Sequence, residues 1–345
     1  MLKLKYNSLL IEDYNSSVFK KRKTRNKLGE IEEWEEYYGE NSSNPYPGLN
    51  YMKIVYKKGL QGNEPKNKLK NNVTMKISSK ILGEDYMEMI NKNNFHKVIE
   101  KINKTGIIRI SQEDFLEEAQ VISCHVTCNL RMNAEIHKYI KSLYRLAIAN
   151  HRNKIHAYPG KESNKLSGLT LCTRTKKNNR RRILFYDKYN EIMSEENKYS
   201  FLSKKHKEQF KNILRIEISL NKFKHIRKYL NIQKSVITLK DVLNSDANPI
   251  SKQLREFMRL RNFENLYEET DEIKTVNERN KEERREKVLN IYRQNMGTIN
   301  NLLRITNSNP SYKRAKYLKT YRRIYRDELK MGLKDFMLIR GKILK

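Results

Sequence analysis

Alternating hydrophobic and polar residues predict several short strands along the first two thirds of the chain. Side chains of a strand point alternately to its two faces, so such alternation indicates a strand with one buried face. In 213–220, for example, the even-numbered residues are apolar, whereas Arg215, Glu217 and Ser219 share the other face. The strands predicted on this basis are 51–56, 73–77, 107–110, 121–130, 169–174, 183–187 and 213–220.

Apolar residues at helical spacing predict helices between and after these strands. Ser111, followed by Glu113 and Asp114, has the form of a helix N-cap with acids in the first turn. The main predicted helices are 81–102 (as one helix or two), 133–149, 224–230, 238–244, 250–269, 277–295 and 311–331. We therefore predict an α+β fold, in which helices cover one face of an antiparallel or mixed sheet and the other face is polar and open. A basic helical C-terminal region follows this core.

Composition divides the chain into three predicted parts. Residues 1–48 mix basic and acidic runs and end in a turn-rich linker at 41–48. Residues 49–230 contain all the predicted strands and form the α+β domain. Residues 231–345 are predicted to form a helical, basic accessory region that binds a polyanion.

The chain of 345 residues carries a large positive charge. Lys and Arg total 72 against 40 acidic residues, and the net charge of +32 predicts a polyanionic partner. Nucleic acid is the leading candidate, because each neutralised phosphate releases counterions. A membrane surface is the alternative, but the sequence has no run of about 18 apolar residues and does not begin like an export signal. The three cysteines do not make a disulfide framework, so we expect a reducing cytoplasm.

Basic residues of the predicted helix 311–331 are candidates for phosphate contact. Tyr321 and Tyr325 lie on an apolar stripe of this helix, and lysines and arginines occupy much of its remaining surface. A merely solvated charged face is the alternative interpretation. The candidate DNA-binding residues are Lys316, Lys319, Arg322, Arg323 and Arg326 in this helix, together with Arg181, Arg182 and Arg215 on predicted strands.

The stretch 181–191 presents the only coherent set of reactive side chains in the sequence. Tyr186 lies near the end of a predicted strand, where a tyrosine is held by the sheet yet accessible from outside. A phenol with a pKa near ~10 attacks phosphorus only if a cation or metal stabilises the phenolate or a base takes its proton. Lys188 and Glu191 are candidates for that help, and Tyr189 is a second candidate nucleophile. Ordinary packed aromatic residues at a strand end are the alternative.

Two polar residues on predicted strands are further candidates for a site. His125 lies on the polar face of 121–130, and Glu217 interrupts an otherwise apolar strand. A metal ion would explain Glu217, and so would an ion pair with Arg215. Cys124 and Cys128 lie on the apolar face roughly 13 Å apart by strand rise, too far for one zinc ion, so we interpret them as small core residues.

Three segments of the chain match one family pattern. They are SQEDFLEEAQVISCHVTCNL, LTLCTRTKKNNRRRILFYDKYNEI and ILRIEISLNKFKHIRKYL. Together they resemble the replication initiators of filamentous phages, the gene II protein class, and the related plasmid initiators of the Rep_trans type. That pattern combines an aspartate strand of the form V-D-V-T with a Tyr-Asp-Lys-x-x-Glu segment and an Arg-Phe/Ile-Glu strand. The resemblance covers roughly residues 73–245.

The resemblance implies a rolling-circle initiator that nicks one strand at a replication origin and stays attached through a 5′-phosphotyrosine. On the matching positions, Tyr186 would be the nucleophile, and Glu191 and Glu217 would be ligands of a divalent metal, Mg²⁺ or Mn²⁺. His125 stands where the family has its aspartate, and a histidine suits Mn²⁺ better than Mg²⁺. The domain 49–230 would then be the nicking domain.

The implied partner is DNA of a replication origin, single- and double-stranded, in the cytoplasm of a bacterial host. Host replication proteins are further candidate partners, and the oligomeric state stays open. The alternative is an origin-binding or repressor protein with the initiator fold but no cleavage activity, which the substitution at His125 would favour. An RNA-binding protein that uses a sheet face is a weaker alternative, because the sequence lacks the paired aromatic signature of that module.

Overall fold

The computed structural model describes most of the first 258 residues and a short C-terminal segment. The described residues are 1–7, 11–14, 19–25, 31–38, 48–56, 72–149, 153–160, 165–173, 181–258 and 330–344. The fold is α+β, as predicted, and eleven of the twelve strands within these ranges pair antiparallel with a neighbouring strand. None of the helices in these ranges is both long enough and apolar enough to cross a membrane.

The strands and helices have the following bounds. The strands are β1 (Leu2–Asn7), β2 (Ile11–Tyr14), β3 (Lys20–Arg25), β4 (Ile31–Tyr38), β5 (Leu49–Tyr56), β6 (Asn72–Ile77), β7 (Ile108–Ile110), β8 (Gln120–Arg131), β9 (Asn153–Pro159), β10 (Leu166–Thr173), β11 (Arg182–Asp187) and β12 (Ile213–Leu220). The α-helices are α1 (Phe95–Lys104), α2 (Gln112–Glu118), α3 (Ile136–Ala149), α4 (Lys188–Ser194), α5 (Lys204–Glu208), α6 (Phe223–Leu230), α7 (Leu239–Leu243) and α8 (Pro249–Met258). Two 3₁₀ segments, Ser79–Glu88 and Glu196–Tyr199, and a helix over 330–344 complete the set.

The chain forms two compact units that do not follow the predicted domain boundaries. Unit 1 consists of Met1–Asn129, Lys188–Lys211 and Glu217–Lys252. Unit 2 consists of Leu130–Asp187, Asn212–Ile216 and Gln253–Lys345. Residues 1–48, predicted as a separate segment, instead supply β1 to β4 of unit 1. The nicking and accessory roles assigned to the later two parts stay predictions.

The sheet of unit 1 is built around its first strand. The strands follow the order β3-β4-β5-β6-β1-β8, and each neighbouring pair is antiparallel. Leu4 of β1 therefore pairs with Met75 of β6 on one side and with Val121 of β8 on the other, and all three are buried. β2 and β7 form a separate antiparallel pair.

Unit 2 contains a three-stranded antiparallel series in the order β9-β10-β11. α3 packs against these strands, and its apolar residues Ile140, Leu143 and Ala147 are fully buried. Ile183 and Phe185 of β11 are also fully buried. The apolar residues of β11 therefore alternate into the core of unit 2, as the sequence predicts.

Most predicted elements are confirmed, and the differences are informative. β5, β6, β8, β10, β11 and β12 occur where alternation predicts them, and the hydroxyl of Ser111 accepts a hydrogen bond from the backbone N–H of Asp114 at the start of α2. The prediction of one open polar face is wrong at β12, because Arg215 is only 1% exposed and Ser219 only 6%. Alternation of residue type therefore marks the two faces of β12 but does not show which face meets solvent. The predicted helix 277–295 and nearly all of 311–331 lie outside the described residues.

The glycine before β5 is held where no side chain fits. Gly48 has a φ of +93°, and a Cβ added there would lie 2.1 Å from the backbone nitrogen of Ile81. The Gly48 carbonyl also accepts a hydrogen bond of 2.8 Å from the N–H of Ser78. The backbone must come this close for β5 and the 3₁₀ segment to pack together in unit 1.

We expect Gly48→Ala to lower the free energy of unfolding by about 3 kcal/mol, because the new methyl group meets backbone in a left-handed conformation. Gly106→Ala is the matched control, since Gly106 has a φ of +65° and open space around the missing Cβ. It should cost only about 1 kcal/mol. Urea unfolding followed by circular dichroism measures both, and equal losses would contradict the close approach at Gly48.

Candidate functional site

Tyr186 lies at the end of β11, in unit 2. Ile183 and Phe185 are fully buried, whereas Leu184 and Tyr186 on the opposite face are partly exposed. Tyr186 pairs with Gly168 of β10, and a Cβ added to Gly168 would lie 3.4 Å from the Cβ of Tyr186. The sheet therefore fixes the backbone of Tyr186 while part of its side chain remains accessible to a substrate.

The candidate DNA-binding arginines are in three different environments. Arg181 forms a partly buried ion pair with Glu256 of α8, whereas Arg182 is exposed. Arg215 is 1% exposed, so it does not offer its guanidinium to a DNA surface in this structure. The remaining candidates, Lys316, Lys319, Arg322, Arg323 and Arg326, lie outside the described residues.

Lys188, the first residue of α4, is the centre of a buried polar cluster in unit 1. Its side chain is 0% exposed, and its Nζ forms an ion pair with one oxygen of the Glu191 carboxylate. The same Nζ donates a hydrogen bond of 2.7 Å to the hydroxyl of Tyr199, and that hydroxyl donates one of 2.6 Å to the other oxygen of Glu191. Lys188, Glu191 and Tyr199 thus form a closed triad, in which a buried cation is paired and hydrogen-bonded as its burial requires.

Aromatic rings surround this triad. The Nζ of Lys188 lies 4.4 Å from the ring centroid of Tyr199 and 5.1 Å from that of Tyr86. Tyr86 also packs against Phe210, with ring centroids 5.8 Å apart. The negative faces of the rings stabilise the buried ammonium. Burial, the neighbouring Tyr86 and the Glu191 carboxylate raise the pKa of Tyr199, so this phenol stays protonated and remains a hydrogen-bond donor.

A second lysine completes the same cluster from the 3₁₀ segment Ser79–Glu88. The Nζ of Lys80 lies 4.2 Å from the ring centroid of Tyr199 and donates a hydrogen bond of 3.3 Å to the carbonyl of Lys198. Burial lowers the pKa of Lys80, and repulsion from Lys188 acts in the same direction. Lys80, Tyr86 and Tyr199 were not predictable as partners of Lys188, because they are distant from it along the chain and follow no periodic pattern with it.

Tyr189 has a different environment from Tyr186. Its hydroxyl donates a hydrogen bond of 2.9 Å to Glu208 of α5, and the Nζ of Lys211 lies 5.6 Å from its ring centroid. Hydrogen bonds from Lys211 and then from Tyr189 lower the pKa of Glu208. A carboxylate with a lowered pKa is a weak base, so Glu208 holds the tyrosine in place more readily than it takes its proton.

The residues that the resemblance implies as metal ligands are not arranged as a metal site. Among the described residues, no group of three or more His, Cys, Asp or Glu side chains is placed to hold a metal ion. His125 and Glu217 are partly buried on β8 and β12. Glu191 does not fit a metal ligand as arranged, because the ammonium of Lys188 and the hydroxyl of Tyr199 bind its two carboxylate oxygens. The requirement for Mg²⁺ or Mn²⁺ stays a prediction.

The cysteines have no disulfide partners. Cys124 and Cys172 are buried and Cys128 is partly buried, and none of the three forms a disulfide bond. Burial raises the pKa of the Cys124 thiol to about 12, so it stays protonated. The interpretation of Cys124 as a small core residue is confirmed.

Comparisons of the chain with protein-family models, with curated proteins and with solved structures gave no match. A function must therefore be inferred from the residues of this chain and from the resemblance of its three short segments to rolling-circle initiators. Two features support a function most strongly: the partly exposed Tyr186 next to the last residue of β11 and the strong positive charge of the chain.

Proposed function

We propose that this protein nicks and rejoins one strand of DNA to initiate rolling-circle replication of a small phage or plasmid genome. The observation that carries the proposal is the placement of Tyr186, which is partly exposed at a strand end while Ile183 and Phe185 are fully buried. This placement gives a nucleophile a fixed backbone and access to substrate. The net charge of +32 supports a phosphate-rich substrate.

In the proposed reaction the phenol oxygen of Tyr186 attacks the scissile phosphorus in line with the leaving 3′ oxygen. The bond from phosphorus to that 3′ oxygen breaks and a tyrosyl 5′-phosphodiester forms, while the phenol loses its proton and the leaving 3′ oxygen gains one to become a hydroxyl, so the step is proton-neutral. The phosphodiester energy is conserved in the tyrosyl link. Attack by a 3′-hydroxyl on the same phosphorus then rejoins the strand and releases Tyr186.

Neither Lys188 nor Glu191 is assigned a step in this reaction. The Nζ of Lys188 is fully buried and bound to Glu191 and Tyr199, so its role is to order the start of α4. A divalent metal is an expectation of the resemblance alone. Cleavage assays with added Mg²⁺, with added Mn²⁺ and with a chelator test that expectation separately from the role of Tyr186.

A second function deserves a test, namely DNA binding at an origin without cleavage. The observation that favours it is the state of Glu191, whose two carboxylate oxygens are bound by Lys188 and Tyr199. The histidine at position 125, where the family has an aspartate, points in the same direction. Incubation with supercoiled plasmid that carries the neighbouring genome segment separates the two functions, because only a nicking enzyme produces open circles and a covalent tyrosyl adduct.

Both functions require DNA binding that depends strongly on salt. If about six phosphates are neutralised, the logarithm of the association constant should fall against the logarithm of salt concentration with a slope of roughly −5. Fluorescence anisotropy of a labelled origin duplex at several salt concentrations measures the slope. An affinity that does not change with salt concentration would contradict the proposal that DNA is the partner of this basic chain.

A further inference from the structure

One face of the β9-β10-β11 series in unit 2 carries cations and tyrosines on its two outer strands. Residues that pair across the three strands lie on the same face, and they form three parallel rows. The rows are Lys154–Cys172–Arg182, His156–Thr170–Leu184 and Tyr158–Gly168–Tyr186. The opposite face carries the fully buried residues Leu169, Leu171, Ile183 and Phe185.

The outer strands of this face present long side chains, and the middle strand presents small ones. Lys154, His156 and Arg182 are exposed. Gly168, Thr170 and Cys172 of β10 are buried between them. Cations therefore lie at one end of this face and two tyrosines at the other. None of the nine residues in the three rows is acidic.

The ring of Tyr158 lies over Gly168 of the middle strand. A Cβ added to Gly168 would be 3.2 Å from Cδ2 of Tyr158, so the ring occupies the space that a side chain would fill. The Tyr158 hydroxyl lies 3.2 Å from Oγ1 of Thr170, within hydrogen-bond distance. Tyr158 nevertheless remains 47% exposed. Its ring is held at two points against the sheet and leaves a large aromatic surface open to solvent.

Sheet stability alone explains only part of this arrangement. An aromatic ring over a cross-strand glycine stabilises an antiparallel sheet, which accounts for the contact between Tyr158 and Gly168. It does not account for the exposure of the ring or for the cations Lys154 and Arg182 on the same face. Exposed aromatic rings beside basic side chains are the two components of surfaces that bind single-stranded nucleic acid.

We propose that this face binds single-stranded DNA, with a base stacked on Tyr158 and phosphates contacted by Lys154 and Arg182. The choice of DNA rests on the proposed function, whereas the stacking and charge arguments rest on the face itself. Stacking tolerates any base sequence, since every base has an aromatic face. The face would hold the strand next to Tyr186, which ends the same row as Tyr158.

The test compares Tyr158→Leu with Tyr158→Phe in the full chain. Leucine still covers Gly168 but cannot stack, so affinity for a labelled oligothymidine should fall about 5- to 150-fold. Phenylalanine keeps the ring and loses only the contact with Thr170, so its affinity should stay within about twofold of the parent. Tyr38→Leu is the matched control: Tyr38 is 41% exposed in unit 1, and its hydroxyl donates to Glu36. Thermal unfolding checks that each variant is folded.

The cations of the face are tested through the salt dependence of the same binding. Lys154→Gln removes one phosphate contact, so the magnitude of the slope against salt should decrease by about 0.7 for a single strand. Lys104→Gln removes the same charge from the exposed end of α1 in unit 1 and should leave the slope unchanged. Equal effects of both substitutions on the slope would show that the net charge of the chain, and not this face, determines the salt dependence of binding.

The outcomes separate this inference from the proposed nicking function. If the parent nicks plasmid DNA but Tyr158→Leu binds oligothymidine as tightly as the parent does, the stacking face is wrong and nicking stands. If Tyr158→Leu loses binding although the parent does not nick plasmid DNA, the result supports single-strand binding by this face and contradicts the proposed nicking function. A parent chain that does not bind oligothymidine even at low salt overturns the face directly.

Discussion

Tyr186→Phe is expected to abolish the covalent protein–DNA adduct and to lower nicking by roughly 10³-fold or more, because the substitution removes the attacking oxygen. Folding and DNA binding should survive, since phenylalanine keeps the ring on its face of β11 while Ile183 and Phe185 stay buried. The measurements are conversion of supercoiled plasmid to open circles and mass spectrometry of the tyrosyl peptide. Anisotropy with the same DNA confirms that the variant still binds.

Tyr189→Phe is the control for this prediction. The Tyr189 hydroxyl already donates to Glu208, a carboxylate whose pKa is lowered, so we expect this variant to nick like the parent. Loss of the adduct in Tyr189→Phe but not in Tyr186→Phe would move the nucleophile three residues along the chain. Full cleavage by both variants would indicate water as the attacking group and a hydrolytic nuclease.

Lys188→Met is expected to lower the free energy of unfolding by about 3 to 5 kcal/mol, the range for breaking one partner of a buried ion pair. Methionine has a similar length but no charge and no donor. The Glu191 carboxylate therefore loses its counter-ion, and the Tyr199 hydroxyl loses the hydrogen bond that it accepts. The Glu191 side chain is 29% exposed, so water recovers part of the loss and favours the lower end of the range. Urea unfolding measures the change.

Two further variants distinguish the loss of the buried ion pair at Lys188 from the loss of any lysine side chain. Lys198→Met removes an exposed lysine that pairs with Glu195 at 3.1 Å, and this should cost less than about 1 kcal/mol. Combining Lys188→Met with Glu191→Gln should restore part of the stability, because the uncompensated carboxylate is then removed as well. A Lys188→Met loss as small as that of Lys198→Met would show that the triad contributes little.

The sequence predicted the elements that are set by apolar alternation. β11 and β12 contain enough alternating aliphatic residues to identify them without a structure. β3 and β4 were missed, because charged residues occupy many of their positions. In the register of this pair, Lys21 of β3 lies opposite Glu35 of β4, and Lys20 lies opposite Glu36. Cross-strand charge pairs stabilise a sheet but leave no apolar period in the sequence.

The candidate site was predictable only in part. The accessible position of Tyr186 followed from alternation along the strand, because Tyr186 lies on the face opposite Ile183 and Phe185. The partners of Lys188 did not follow, because only the fold brings Tyr86 and Tyr199 against it. The sequence also does not show whether a lysine is buried or exposed. Lys188 was therefore interpreted as a possible catalytic group, whereas its contacts in the structure are those of a buried residue.

The division of unit 1 among three separate stretches of chain bears on how the protein is made. Leu4 of β1 must remain without its partner Val121 until the ribosome has added β8, and unit 1 is complete only after residue 252. Closing such long loops is slow, and until they close, the unpaired edges of the strands can pair with strands of other chains. We therefore expect both units to fold late in translation, to depend on chaperones when overproduced, and to resist isolation by a single proteolytic cut.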